Sequence, residues 1–74
     1  MNTLTQLGMR IRYLRKRKGL SQLDLSLEAE INKNYISDLE RGTRNPSILI
    51  LERVACALEV DLSTLFKGIQ SFED

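Results

Sequence analysis

Seventy-four residues, 42% of them apolar and 28% charged, with a single proline, bound one small domain around one core and leave no room for a second. A net charge of +1 and a pI near 7.9 lack the bulk basicity of many nucleic-acid-binding domains, but the charges are unevenly spread. Arg10, Arg12, Arg15, Lys16, Arg17 and Lys18 crowd the first quarter, no acid precedes Asp24, and Glu59, Asp61, Glu73 and Asp74 gather at the far end.

Cys56 is the sole cysteine and histidine is absent, which excludes a disulfide framework, a tetrahedral metal site and a Cys/His nucleophile pair within one chain. With no histidine and no clustered carboxylates, neither an enzyme nor a cofactor or metal is expected. The lone cysteine fits a reducing compartment. The opening MNTLTQLGM has neither the apolar run of a signal peptide nor the length of a membrane span, so the expectation is a cytoplasmic protein with no membrane partner.

Leu4, Leu7, Ile11 and Leu14 recur at three- and four-residue steps, predicting an amphipathic helix from residue 3 to about 18 that stops at Gly19, with Thr3 or Thr5 as its cap. Ser21, with Asp24 three residues later, has the form of a capping box opening a second helix. That helix turns Leu25 and Ala29 inward and ends near Ala29 or Glu30. Asn32 caps a third helix with Ile36 and Leu39 on its inner face and Gly42 as its left-handed stop.

GTRNP, residues 42 to 46, is a loop. Ser47 opens a fourth helix from Ile48 to about Leu58, and Asp61 a very short fifth one ending at Gly68. The reading is an all-α fold of five short helices in one domain, 1–74, with a helix-turn-helix at about 21–41 and a tail at 69–74. So few residues join the second and third helices that the two must cross steeply, with Ile31 turned inward to pin the corner.

With Ile36 and Leu39 inward, Lys33, Asn34, Ser37, Asp38 and Arg41 are left outward and Tyr35 at the margin. A helix is about the width that the DNA major groove accepts, and the N-terminal residues of an entering helix reach base edges. Asn pairs two-pronged with adenine, Lys reaches guanine acceptors, and Asp accepts from the cytosine amino group. A polar helix face taken alone is more often simply solvated. The tight corner and the lopsided charge favour the DNA reading.

Ser21-Gln22 followed by Leu25, Ala29, Ile31, Ile36, Leu39, Glu40 and Gly42 resembles the helix-turn-helix of phage repressor and Cro-type regulators, the Xre family, over about Leu7 to Phe66. The expected fold is therefore lambda-repressor-like. Within that family the run NYISDLERGTRNPS is most similar to controller proteins of restriction-modification systems, which govern transcription of their own gene and of the endonuclease gene.

The resemblance implies base reading by Lys33, Asn34, Ser37 and Asp38, and backbone or mixed contacts by Gln22, Tyr35, Arg44, Asn45 and Ser47. Arg41 either holds phosphate or complements the dipole of its own helix. Arg10 is the member of the basic cluster expected to approach DNA. Arg15 and Glu40 match a family ion pair between the first and third helices, an architectural role.

Two positions depart from the family pattern: Glu30 stands at the corner where glycine is usual, and Ser26 replaces the usual alanine. A left-handed Glu30 costs about 1–2 kcal/mol.

The fourth helix is expected to bury Ile48, Leu51, Val54, Ala55 and Leu58, which leaves Leu49 and Ile50 in surplus. With Leu62, Leu65 and Phe66, and Ile69 nearby, they form the expected seam of a two-fold homodimer. Leu23 and Leu27 fall on the wet face of the second helix, to pack against Leu4 or Met9 or to mark a second contact surface.

The functional expectation is a transcriptional regulator that binds a palindromic double-stranded operator as a homodimer, with RNA polymerase as a further candidate partner. The alternative is a protein-interaction module of the same fold, an antitoxin or adaptor.

Overall fold

The computed structural model describes residues 2 to 69, so the expected tail lies, beyond Ile69, outside the described residues. Five helices follow in order: α1 (Thr3–Arg17), α2 (Gln22–Ala29), α3 (Lys33–Arg41), α4 (Ile48–Ala57) and α5 (Leu62–Leu65). No strand occurs among the described residues.

Each helix begins where a side chain satisfies an otherwise unpaired backbone amide. Asn2, rather than Thr3 or Thr5, caps α1: its Oδ1 accepts the Thr5 amide at 2.8 Å, and Thr3 is already inside the helix. Asn outranks Thr as a cap, which is the physical reason for the shift.

Ser21 and Asp24 form a reciprocal capping box, with Ser21 Oγ accepting the Asp24 amide and Asp24 Oδ2 accepting the Ser21 amide, both at 2.9 Å. The bond from the Ser21 backbone amide holds the Asp24 carboxyl below the usual carboxylate range. Asn32, Ser47 and Asp61 cap α3, α4 and α5. Helix α5 is shorter than its expected run: after Leu65 the chain turns through Phe66, the C-cap, to a left-handed Gly68.

The core joins Leu7 and Ile11 of α1, Leu25 of α2, Ile36 and Leu39 of α3, Leu51, Val54 and Ala55 of α4, Leu58 just after it, and Leu65 of α5. Full burial of a large aliphatic side chain contributes about 1.5–3 kcal/mol each, so this cluster supplies most of the folding drive.

Two apolar assignments are corrected by it. Ile48 is 56% exposed, because the first residue of α4 overhangs the layer it was meant to join, while Ile50 packs partly buried against the core. Leu65 is wholly buried and so cannot form part of a dimer seam. It is the residue by which the short α5 anchors itself.

The α2–α3 corner closes with Glu30 in the left-handed region (φ 56°, ψ 46°) and a bond from the Ile31 amide to the Ser26 carbonyl at 3.0 Å. Ile31 packs partly buried behind it. Such a conformation costs a side-chain-bearing residue about 1–2 kcal/mol, which the surrounding packing offsets. Glu59, beyond α4, repeats the device at φ 59° and is tied to α1 by an ion pair with Lys18.

Gly8 governs how α1 meets α3. A Cβ built there would lie 2.4 Å from the Leu39 carbonyl oxygen and 2.5 Å from that of Glu40. Only a residue without a side chain lets α1 lie directly on the backbone of α3's last turns.

Candidate nucleic-acid interface

Helix α3 is held from behind by one buried ion pair. Arg15 Nε lies 2.6 Å from Glu40 Oε2 and its Nη2 donates to Oε1 at 2.9 Å, a two-pronged fork, while Nη1 donates to the Leu20 carbonyl at 2.9 Å. The two side chains are 9% and 4% exposed. The hydrogen bond to Glu40 raises the Arg15 guanidinium above its ordinary value. Gln22 closes the group, its Nε2 donating to Glu40 Oε1 at 3.2 Å, so its side chain points partly inward from the start of α2. Together these bonds join α1, α2 and α3 and set the angle at which α3 is presented.

The other side of α3 faces outward. Lys33 and Asn34, in its first turn, are exposed, and Ser37 and Asp38 follow half-buried one turn later. The Asn34 amide is taken by the Asn32 cap at 2.7 Å, so the side chain of Asn34 itself is not spent on capping.

Arg41 Nη1 donates to Ser37 Oγ at 2.7 Å, and Arg41 also forms an ion pair with Asp38. Arg44 comes back from the loop, with Nε 3.3 Å from Asp38 Oδ2 and the guanidinium 4.8 Å above the Tyr35 ring. Asn45 and Ser47 stand exposed where the loop enters α4, the Ser47 Oγ accepting the Ile50 amide.

The fold therefore brings Lys33, Asn34, Tyr35, Ser37, Asp38, Arg41 and Arg44 together along one helix and the loop that follows it. Arg10 is not among them. Its Nε and Nη2 both donate to the Thr64 carbonyl, at 3.1 and 3.0 Å, which commits it to holding α5 on α1. On a helix, position 10 faces roughly opposite to Gly8, the residue lying on α3.

Sequence reasoning missed two features. Gly8 resembles any mid-helix glycine until α3 is laid on it, and the Asp38–Arg44 bond spans a loop that no periodicity describes. Leu23 and Leu27 stand 50% and 68% exposed along a shallow groove that also reaches Ile31 and Lys33.

Chemically the arrangement offers hydrogen-bond donors and acceptors on a rigid rod, with cations beside it. Among the described residues no group of potential metal ligands is found, and no helix is long and apolar enough to cross a membrane.

A family model described as helix-turn-helix matches residues 11–65. The chain is 46% identical over 61 residues to the HTH-type transcriptional regulator SlrR of Bacillus subtilis, covering 81% of this chain and 40% of that one. It is 36% identical over 64 residues to the control protein C.MunI of Mycoplasma sp., covering 85% and 86%.

Of solved structures, the restriction-modification controller protein C.AhdI from Aeromonas hydrophila superposes with a TM-score of 0.84 at 38% identity, covering 85% of this chain and 96% of that one. The C.Esp1396I controller, solved as a tetramer in complex with its natural 35 base-pair operator, matches with a TM-score of 0.84 at 32% identity, covering 93% and 91%. Several curated regulators are longer: the chain spans 40% to 54% of the length of SlrR, the phage phi105 immunity repressor, DdrOP3 and SinR.

Proposed function

The chain belongs to the helix-turn-helix family, and from that premise we propose that it is a sequence-specific transcriptional regulator of double-stranded DNA, acting as a homodimer on a palindromic operator. Similarity to C.MunI and C.AhdI supports the narrower reading, the controller of a restriction-modification system. The observation that carries the proposal is the exposed first turn of α3, with Lys33 and Asn34 outward on a rod braced from behind by Arg15 and Glu40.

Lys33, Asn34, Ser37 and Asp38 are the proposed base readers. Gln22 through its helix end, and Tyr35, Arg41, Arg44, Asn45 and Ser47, are assigned to the sugar-phosphate wall, where helix termini and cations favour anions.

The proposed dimer seam comprises Leu49, which is 66% exposed, Ile48 beside it, and the half-buried Ile50, Leu62 and Phe66. A two-fold dimer sets its recognition helices about 34 Å apart, one DNA turn. Each monomer has few phosphate contacts, so occupancy should rise steeply with concentration. A regulator of this kind acts in the cytoplasm, where the DNA is, and RNA polymerase is its proposed second partner.

A gel-shift titration against selected palindromic and random duplexes, alongside sedimentation of the free protein, tests the proposal. The expected result is a dimer that prefers the palindrome. Asn34→Ala should cost about 1–3 kcal/mol on the palindrome and relax preference at one or two base pairs. No duplex bound tighter than random at moderate salt ends the proposal. Equal losses on palindrome and random DNA for Asn34→Ala remove that residue as a reader, and a monomer at every concentration removes the seam.

A further inference from the structure

Asp38, on the outward side of α3, is engaged by two cations. Its carboxylate takes Arg41, which bridges also to Ser37 Oγ, and takes Arg44, whose guanidinium is over the Tyr35 ring. The Asp38 side chain is 24% exposed, while Arg41 and Arg44 are 61% and 51% exposed. The carboxylate is thus enclosed and its two cations lie on the outside, within reach of a passing phosphate. An aspartate assigned to read a base is, in the free protein, already occupied.

Resting on the regulator reading, we propose that Asp38 is a specificity-determining residue that works as a releasable latch on Arg41 and Arg44. Phosphate oxygens compete with the Asp38 carboxylate for the two guanidinium groups. If the arginines leave, the carboxylate is stripped of donors beside a wall of negative charge. The exocyclic amino group of cytosine or adenine, presented in the major groove, supplies the missing donor.

A guanine or thymine edge facing Asp38 offers it only acceptors or a methyl group and leaves the carboxylate unpaired, a penalised state for a desolvated charge. The arginines then stay on Asp38, and fewer phosphates are neutralised. Base reading and backbone affinity are coupled through one side chain: the cations are released in full only on the right sequence. Random DNA is rejected because its phosphates meet arginines that are already paired.

The test compares the full chain with Asp38→Asn, with the pair Arg41→Ala and Arg44→Ala, and with all three changes together. Each is titrated against a selected operator and a random duplex across a range of salt. Asp38 is on the outward side of α3, and its backbone carbonyl, which accepts the Thr43 amide, is unchanged by the substitution; melting curves check the fold of each variant.

Asp38→Asn should bind the random duplex about three- to tenfold tighter at low salt, with the log–log salt slope steeper by about one to two, as two freed arginines reach phosphate. The ratio of operator to random affinity should fall. In the background lacking both arginines, Asp38→Asn should bring no such gain.

An equal gain in that background means that deleting a negative charge is the whole effect, and overturns the latch. An unchanged salt slope on random DNA in the presence of both arginines overturns it as well. Failure of the regulator reading appears elsewhere, in an unsubstituted protein that does not distinguish operator from random duplex.

Discussion

Two ion-pair systems lie on opposite sides of α3, and they differ in every respect that governs what a charge pair does. Behind the helix, Arg15 and Glu40 are 9% and 4% exposed and joined by a two-pronged fork, with the Leu20 carbonyl and Gln22 adding one bond each. In front, Arg41 and Arg44 share Asp38 with the cations more than half exposed. A buried pair is hard to part, because each charge left alone has no water to turn to; a pair whose cations face water parts far more readily once another donor reaches its carboxylate. The rear pair is therefore suited to orienting the helix and the front pair to being replaced by DNA.

The largest test of that contrast is Glu40→Ala, expected to cost about 3–5 kcal/mol of folding stability by stranding Arg15, read from denaturant unfolding. A loss below about 1 kcal/mol would make the rear pair no different from a surface pair and erase the distinction.

Next comes Gly8→Ala, expected to cost about 1–3 kcal/mol, because its methyl group cannot share space with the carbonyls of Leu39 and Glu40. Since the shift tilts α3 as well, operator preference should fall with stability. An unaltered melt would mean that α1 does not ride on the α3 backbone.

The smallest effect has the opposite sign. Glu30→Gly relieves a left-handed residue at the corner and should stabilise the fold by about 1 kcal/mol, less the added freedom of glycine in the unfolded chain. Destabilisation in a thermal melt would show that the Glu30 side chain does something at the corner that its conformation alone does not reveal.

Much of the architecture was legible because it rests on local chemistry. Ser21 with Asp24, Asn32, Ser47 and Asp61 are caps that need only their own first turn, and each opens a helix at the expected place. Leu25, Ile36, Leu39, Leu51 and Val54 follow from helical spacing and are buried.

The errors have a common origin in what lies across the fold. Ile48 has the right angle on its helix but overhangs the partner layer. Leu65 shares the apolar spacing of the expected seam, yet it is the buried residue by which α5 holds itself down. Arg10 belongs to a basic cluster by sequence, yet the Thr64 carbonyl, 54 positions away, takes its guanidinium. At the candidate interface, the outward placement of Lys33 and Asn34 follows from spacing alone, whereas the occupation of Asp38 by Arg44 depends on the path of the intervening loop.

The order of the five helices, their starting points and the family to which the chain belongs were determined by the sequence itself, since caps, apolar period and motif are all properties of neighbouring residues. Tertiary structure alone decided which cations are free. A guanidinium goes to the nearest carboxylate or carbonyl in space, and that partner is chosen by how helices cross and loops return, not by the residues on either side of it in the chain.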